Sequence, residues 1–311
     1  MNAWLKFSKS EYQLSETGNG SWSKLGRRRL RLTWASLIVL AMVSSWSLTS
    51  PAYAAGFSWS RDMAVAPDTG TGSSFAASEM ELVLPISDLN FKHESLEVDF
   101  RLTQTEFDWV GSDAAENDYY WLALPLRYRQ RQYENDEFRI DLEPGFMSDP
   151  SGIGTDRIAA NLAVTWRHFV RPGFFWQVGV MVDRRLGDFS PRPTAGMAWH
   201  GGEATEVLLG FPETRVQTRW QPGFSTYLHI RPEGGIWKET ITGLDGSYRL
   251  DYHNWKAGVG AELFWRGQLW FNAELGTQKV RQIQAYDSTG TRVKALPAQA
   301  GYWLLGVLWR W

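Results

Sequence analysis

GYWLLGVLWRW, residues 301–311, closes the chain with a strict alternation in which Trp303, Leu305, Val307, Trp309 and Trp311 take every second position. A period of two is the spacing of side chains on one face of a β-strand. This face carries only large apolar groups, with tryptophan at its ends and aliphatic residues between. It therefore reads as a surface against hydrocarbon with water beyond each edge, where indole rings are favoured. The opposite face, Tyr302, Leu304 and Leu308, is also largely apolar, which implies packing against an inner plug rather than an open watery space.

The same alternation extends upstream. Leu96, Val98, Phe100 and Leu102 alternate with Glu97, Asp99, Arg101 and Thr103, and Tyr120, Leu122, Leu124, Leu126 and Tyr128 with Trp121, Ala123, Pro125, Arg127 and Arg129. It returns from Ile158 to Trp166, from Phe174 to Val182, from Trp255 to Trp265 and from Leu269 to Leu275. These runs predict about 12 strands, with 10 as the alternative: 95–107, 119–133, 137–147, 157–170, 174–186, 193–200, 204–210, 213–220, 224–241, 247–265, 268–283 and 298–311. Every second connection is tight (134–136, 171–173, 200–203, 221–223, 266–268), and glycine or proline marks most of these turns. Most of the others, such as 108–118, 148–156 and 284–297, are longer and more polar. Short turns at one end, long loops at the other and an even strand count describe an all-β, antiparallel up-and-down transmembrane β-barrel over residues 95–311.

Upstream lies a different chain. Arg27, Arg28, Arg29 and Arg31 precede an apolar run from Leu32 to Leu48, and Ala52-Tyr53-Ala54 presents a small-x-small site. Residues 1–54 read as an export signal peptide cleaved after Ala54. Residues 55–94, rich in Ala, Ser, Gly and Thr, read as a flexible leader with one short strand possible at Glu79–Ile86. Beyond Ala54 no run of about 18 apolar residues remains, so no membrane helix is expected there: the chain that follows is either a soluble exported protein or crosses a membrane as a closed barrel, the other form that satisfies every backbone group.

Composition narrows the function classes. The 32 Lys and Arg balance 34 Asp and Glu, which gives no footprint for nucleic acid. The absence of cysteine excludes disulfides, thiolate metal sites and a Cys nucleophile.

If the apolar rows face lipid, the charged rows face inward, because an arginine at the bilayer midplane costs about 2–4 kcal/mol. The inward set is Arg127, Arg129, Arg131, Arg139, Asp141, Glu143, Arg167, Asp183, Arg185, Glu262 and Glu274. A three-residue turn at 134–136 pairs Arg127 with Glu143 and Arg129 with Asp141, whereas a five-residue turn pairs Arg129 with Glu143 and Arg131 with Asp141. The set either lines a solute path or braces the wall by pairing.

With these features the sequence resembles the outer-membrane β-barrel proteins of Gram-negative bacteria. Leu209-Gly210-Phe211-Pro212-Glu213 also looks like a motif of uncharacterised barrel families in that class. The resemblance implies a bacterial outer-membrane location, contact with membrane lipid and lipopolysaccharide, and delivery by the barrel assembly machinery. Trp303, Leu305, Val307, Trp309 and Trp311 would be the signal that machinery reads. It leaves open a porin-like barrel that passes or binds a small polar solute, an enzyme acting on lipid or peptide, and a structural barrel without cargo.

No catalytic, cofactor or metal motif emerges. His93, His168, His200, His229 and His253 sit in no hydrolase pattern, so polar rim positions are the simpler reading. Gly152-Ile153-Gly154 and Gly258-Val259-Gly260 lack the third glycine and helix start of a phosphate loop and read as glycines that make room for neighbouring side chains. Asp113, Asp118, Asp149 and Asp156 fall in long loops without calcium-loop spacing and read as solvated acids.

Overall fold

The computed structural model describes residues 54–63, 74–110, 114, 117–133, 135–149, 155–201, 204–241, 243–244, 248–295 and 300–310. The expected signal peptide up to Tyr53, Gly152-Ile153-Gly154, Asp113 and Trp311 lie outside these residues. The strands are β1 (Ala54–Asp62), β2 (Ser74–Asn90), β3 (Glu94–Val110), β4 (Asp118–Ala123), β5 (Leu126–Tyr133), β6 (Asp136–Ser148), β7 (Ile158–Arg171) and β8 (Phe174–Val182). They continue as β9 (Arg192–Gly201), β10 (Thr205–Phe211), β11 (Thr214–Gln221), β12 (Phe224–Glu239), β13 (Tyr248–Arg266), β14 (Leu269–Tyr286), β15 (Arg292–Ala295) and β16 (Ala300–Arg310).

All neighbours are antiparallel. β16 pairs with β14 on one side and with β1 on the other, from Ala54↔Arg310 to Asp62↔Tyr302, and this seam closes the sheet into a barrel. β4 and β5 are one stave interrupted at Leu124-Pro125, and β15 only extends the edge of β14, so fourteen staves form the wall.

The twelve expected strands are all present, and the two extra staves correct the count. Both come from residues 54–90, expected above to be a leader beyond Ala54 with one short strand at 79–86; β2 is that strand made longer, and β1 is the stave that closes the barrel. Its alternation was weak because its inward positions, Gly56, Ser58 and Ser60, are small, while its outward face carries only Phe57 and Trp59 before Arg61. The expected strand 174–186 is shorter than read: it ends at Val182, and Arg184–Leu186 form a single 3₁₀ turn capped by Asp183.

Wall height is uneven. β12, β13 and β14 run 16, 19 and 18 residues, whereas β9, β10 and β11 run 10, 7 and 8. A tilted strand needs about 9–11 residues to cross a membrane, so the long strands project well past it at the long-loop end.

The outward rows match the expected lipid face. Leu122, Leu124, Val180, Leu209, Leu228, Val259, Leu275 and Leu305 are all exposed on it. Trp199, Trp220, Trp265 and Trp309 lie within two residues of the short-turn ends of their strands, and the Trp59–Trp303 pair, 4.6 Å between ring centroids, marks the other edge. This is the apolar belt with aromatic girdles of a membrane barrel.

Beyond the belt the polarity reverses. On β3 the outward residues change from Leu96, Val98, Phe100 and Leu102 to Gln104, Glu106 and Asp108, while the inward residues change from Glu97, Asp99 and Arg101 to the buried Phe107. Asp108 accepts an ion pair from outward Arg61 at 3.1 Å. On β14 a bulge opposite His253 and Trp255 shifts the register, after which Ile283 and Ala285 are buried. Phe75, Phe107, Tyr119, Trp121, Trp237, Leu250, Tyr252 and Ile283 thus form one apolar cluster inside the long-loop end. Phe107 lies 5.2 Å from Tyr252 and 5.8 Å from Phe75 and Tyr119, centroid to centroid, in edge-on contacts.

The end of β12 ties this cluster across the barrel. Thr240 donates its backbone N–H to Asp149 at 2.5 Å, Arg157 bridges Asp149 at 2.8 Å and Thr240, and Tyr119 bonds Glu239. Asp149 is therefore buried and bonded, not the solvated loop acid expected, and Asp118 is buried as well.

Candidate binding cavity

Beneath the apolar cluster the lumen holds a cavity of about 700 Å³. Its lining runs from Gly56 and Leu308 near the short-turn end to Trp121, Arg184 and Gly234 under the cluster. The wall is charged because these positions alternate with lipid-facing ones, and the net lining is nine carboxylates against six guanidiniums.

Of the eleven sequence-derived candidates, Arg127, Glu143, Arg185 and Glu274 line this cavity. Arg127 pairs with Asp99 and with Glu97 at 3.4 Å, and Arg129 reaches Glu97 at 3.1 Å. Glu143 accepts from Arg101 at 2.8 Å and from Trp121 Nε1 at 2.6 Å. Toward the short-turn end Arg139 pairs with Asp141 at 2.8 Å, Arg167 with Glu137 at 3.2 Å, and Glu262 with Arg310 at 2.9 Å. Arg131 stands exposed opposite Glu137 at that rim, and Asp183 holds the 3₁₀ turn.

The expected register of the 126–143 hairpin is corrected. Arg127 faces Asp141 and Arg129 faces Arg139, because the turn is tighter than either assumed length, with Tyr133 opposite Asp136. The slip is by two residues, which keeps every charge inward. The like charges of Arg129 and Arg139 are offset by Glu97 and Asp141.

Several site residues had no local signal. His229, 1% exposed, stands 2.9 Å from Glu274, which also accepts from Tyr302 at 2.6 Å and Tyr227 at 2.8 Å. Gly258 makes this knot possible, since a Cβ there would lie 2.3 Å from the Tyr302 hydroxyl. Lys256 lies 3.7 Å from Glu233 and over the Tyr302 ring at 5.0 Å. The inward apolar row of the last strand meets no plug among the described residues: Tyr302 joins this knot, and Leu304 and Leu308 line the cavity. His168 pairs with Asp136 at 2.8 Å and His200 stands near Glu206 at the short-turn rim. Among the described residues no group of His, Asp and Glu is arranged to hold a metal ion.

The roof is set by the turn after β8. Asp183 accepts from the Arg185 backbone at 2.9 Å and its guanidinium at 2.6 Å. Burial alone raises the Asp183 carboxyl, but these bonds and the Arg185 charge outweigh it and hold the group below its ordinary value. Arg184 then points inward, its guanidinium 4.5 Å from the Trp121 ring and 5.1 Å from the Trp237 ring. The Phe211-Pro212-Glu213 stretch closes the lowest part of the wall, with Glu213 lining the cavity and Phe211 6.2 Å from Trp255.

A closed antiparallel barrel with an apolar belt, aromatic girdles and a charged interior is an integral membrane barrel of the bacterial outer-membrane class. No protein-family model matches the sequence, and no curated protein matches it. Among solved structures the fold is similar to an outer membrane channel from Pseudomonas putida F1, at 12% identity over 86% of this chain and 98% of that one, TM-score 0.42. It is similar also to the translocator domain of the autotransporter NalP from Neisseria meningitidis, at 11% identity over 93% and 98% of the two chains, TM-score 0.37. A triple-mutant Rhodopseudomonas blastica porin matches at 7% identity over 84% and 100%, TM-score 0.32.

Proposed function

We propose that the barrel holds a small polar solute in an inward-opening vestibule and passes it across the outer membrane only when the apolar cluster at the long-loop end loosens. The observation that carries this reading is the cavity of about 700 Å³ in a charged lumen, roofed by packed aromatic rings. A barrel of eight strands is filled by its own side chains and one of 16–18 leaves an aqueous channel, so fourteen staves fit a partly filled, selective lumen. Most inward charges pair with a neighbouring strand and brace the wall. The cavity remains after that pairing, which favours a binding role over bracing alone.

In this reading the short-turn end faces the periplasm, the signal peptide leaves after Ala54, and the terminal row ending at Trp309 and Trp311 serves the barrel assembly machinery. The belt contacts membrane lipid, with lipopolysaccharide at its outer edge. Planar-bilayer recording of the refolded protein tests the gate. Wild type should show rare, small openings and Trp237→Ala frequent ones, since Trp237 packs on Tyr119 and Phe107 in the roof. A large steady wild-type current, or a Trp237→Ala variant as silent as wild type, overturns the reading.

A further inference from the structure

We infer that the cavity is a seat for a small zwitterion, with Arg184 taking its carboxylate or phosphate and Glu213 holding its cationic group; this rests on the binding role proposed above. Arg184 is 5% exposed, yet its Nε and Nη1 have no hydrogen-bond partner among the described residues. A buried guanidinium donor left unmet is costly, and such a group in a native structure calls for a ligand or solvent to meet it.

The site around it is built. The guanidinium carbon lies over both indole rings, Trp121 and Trp237, which hold it in place. The Arg184 backbone N–H is anchored on Asn161 at 3.0 Å. Gly235 supplies the slot, since a Cβ there would lie 2.0 Å from Arg184 Nη1.

A simple anion fits poorly, because carboxylates outnumber guanidiniums around the cavity. One of those carboxylates, Glu213, makes no ion pair among the described residues. Glu79, by contrast, is hydrogen-bonded to Glu233, which faces Lys256 at 3.7 Å and Arg231 at 3.4 Å. A ligand bearing both charges answers the unmet guanidinium without adding net negative charge to an acidic lumen.

Calorimetric titration of the folded barrel in detergent tests this with probes of matched size. L-alanine carries both charges, propionate the anion alone and ethylammonium the cation alone, while the methyl ester of O-phosphoethanolamine, a net-neutral phosphodiester, separates a lipid-type phosphate head from a carboxylate. One or both zwitterions should bind saturably and at least tenfold more tightly than either single-charge probe. Arg184→Met, which keeps the apolar stem, should weaken that binding at least tenfold, and Glu213→Gln, at a surface connection, should weaken it while the fold stays intact. Equal binding of propionate, unchanged binding by both variants, or no saturable binding of either zwitterion refutes the seat. Because the gating test reads current through Trp237→Ala without ligand, the seat can fail while the vestibule stands, and the reverse.

Discussion

Placing an arginine at Val259 should destabilise the barrel by about 2–4 kcal/mol, the cost of that side chain on the lipid face near the bilayer midplane. The position follows from the girdles. On β13 the outward row runs from Trp255 to Trp265. Ten steps of about 3.4 Å at a tilt near 40° span about 26 Å, close to the roughly 25 Å height of an outer-membrane apolar band. Val259 lies near the middle of that span, opposite Leu228 on β12 and Leu275 on β14, both exposed. The outward positions nearest it, Thr226, Leu228, Ile230, Ala273, Leu275 and Thr277, carry no charge to pair with an arginine. Ser78→Arg is the control, because Ser78 also faces outward but stands between Arg61 and Glu106 at the belt edge, where the cost falls to about 0–1 kcal/mol. Equilibrium urea unfolding of the barrel in phosphatidylcholine vesicles, followed by tryptophan fluorescence, gives both values. Equal destabilisation by the two arginines, or a smaller effect at Val259, would refute the assignment of the belt.

The apolar cluster gives a second test. Phe107→Ala removes a ring in contact with Phe75, Tyr119, Trp237 and Tyr252 and should cost about 3–5 kcal/mol, read as a lowered unfolding midpoint in the same assay. A loss under about 1 kcal/mol would mean that the cluster is not tightly packed. The roof turn should respond to acid. Asp183 is held below its ordinary value, so its contribution is present above the unfolded value of about 3.9 and is lost as pH falls through the folded value. Near-ultraviolet circular dichroism of the tryptophans should therefore change below about pH 4 in wild type, and Asp183→Asn should abolish that change. An identical acid transition in the variant would contradict the role of this carboxylate.

The lipid face was readable because hydrocarbon tolerates little variation, so large apolar residues recur at alternate positions within the belt, as in Leu96 to Leu102, Trp255 to Trp265 and Trp303 to Trp309. β2 was half readable: Met80, Leu82 and Leu84 face out, but the inward Val83 and Pro85 are also apolar and blur the alternation. The hairpin register escaped because Arg127, Arg129 and Arg131 alternate identically under a slip of two, and only the turn at Tyr133 and Asp136 fixes it. The reversal of polarity on β3 was present as Phe107 after Thr105, yet its meaning depends on knowing where the membrane ends. Arg184 could not be found locally. Its importance comes from Trp121 and Trp237, which lie far from it in the chain and meet it only in the closed barrel.

The native sequence contains no cysteine, so one introduced thiol reports without background. Ser58 lines the vestibule on β1, opposite Gly306. Reaction of Ser58→Cys with a membrane-impermeant maleimide tests most directly whether the lumen opens inward and is shut outward. Labelling only after the outer membrane is permeabilised is the expected result, and rapid labelling on intact cells would contradict it.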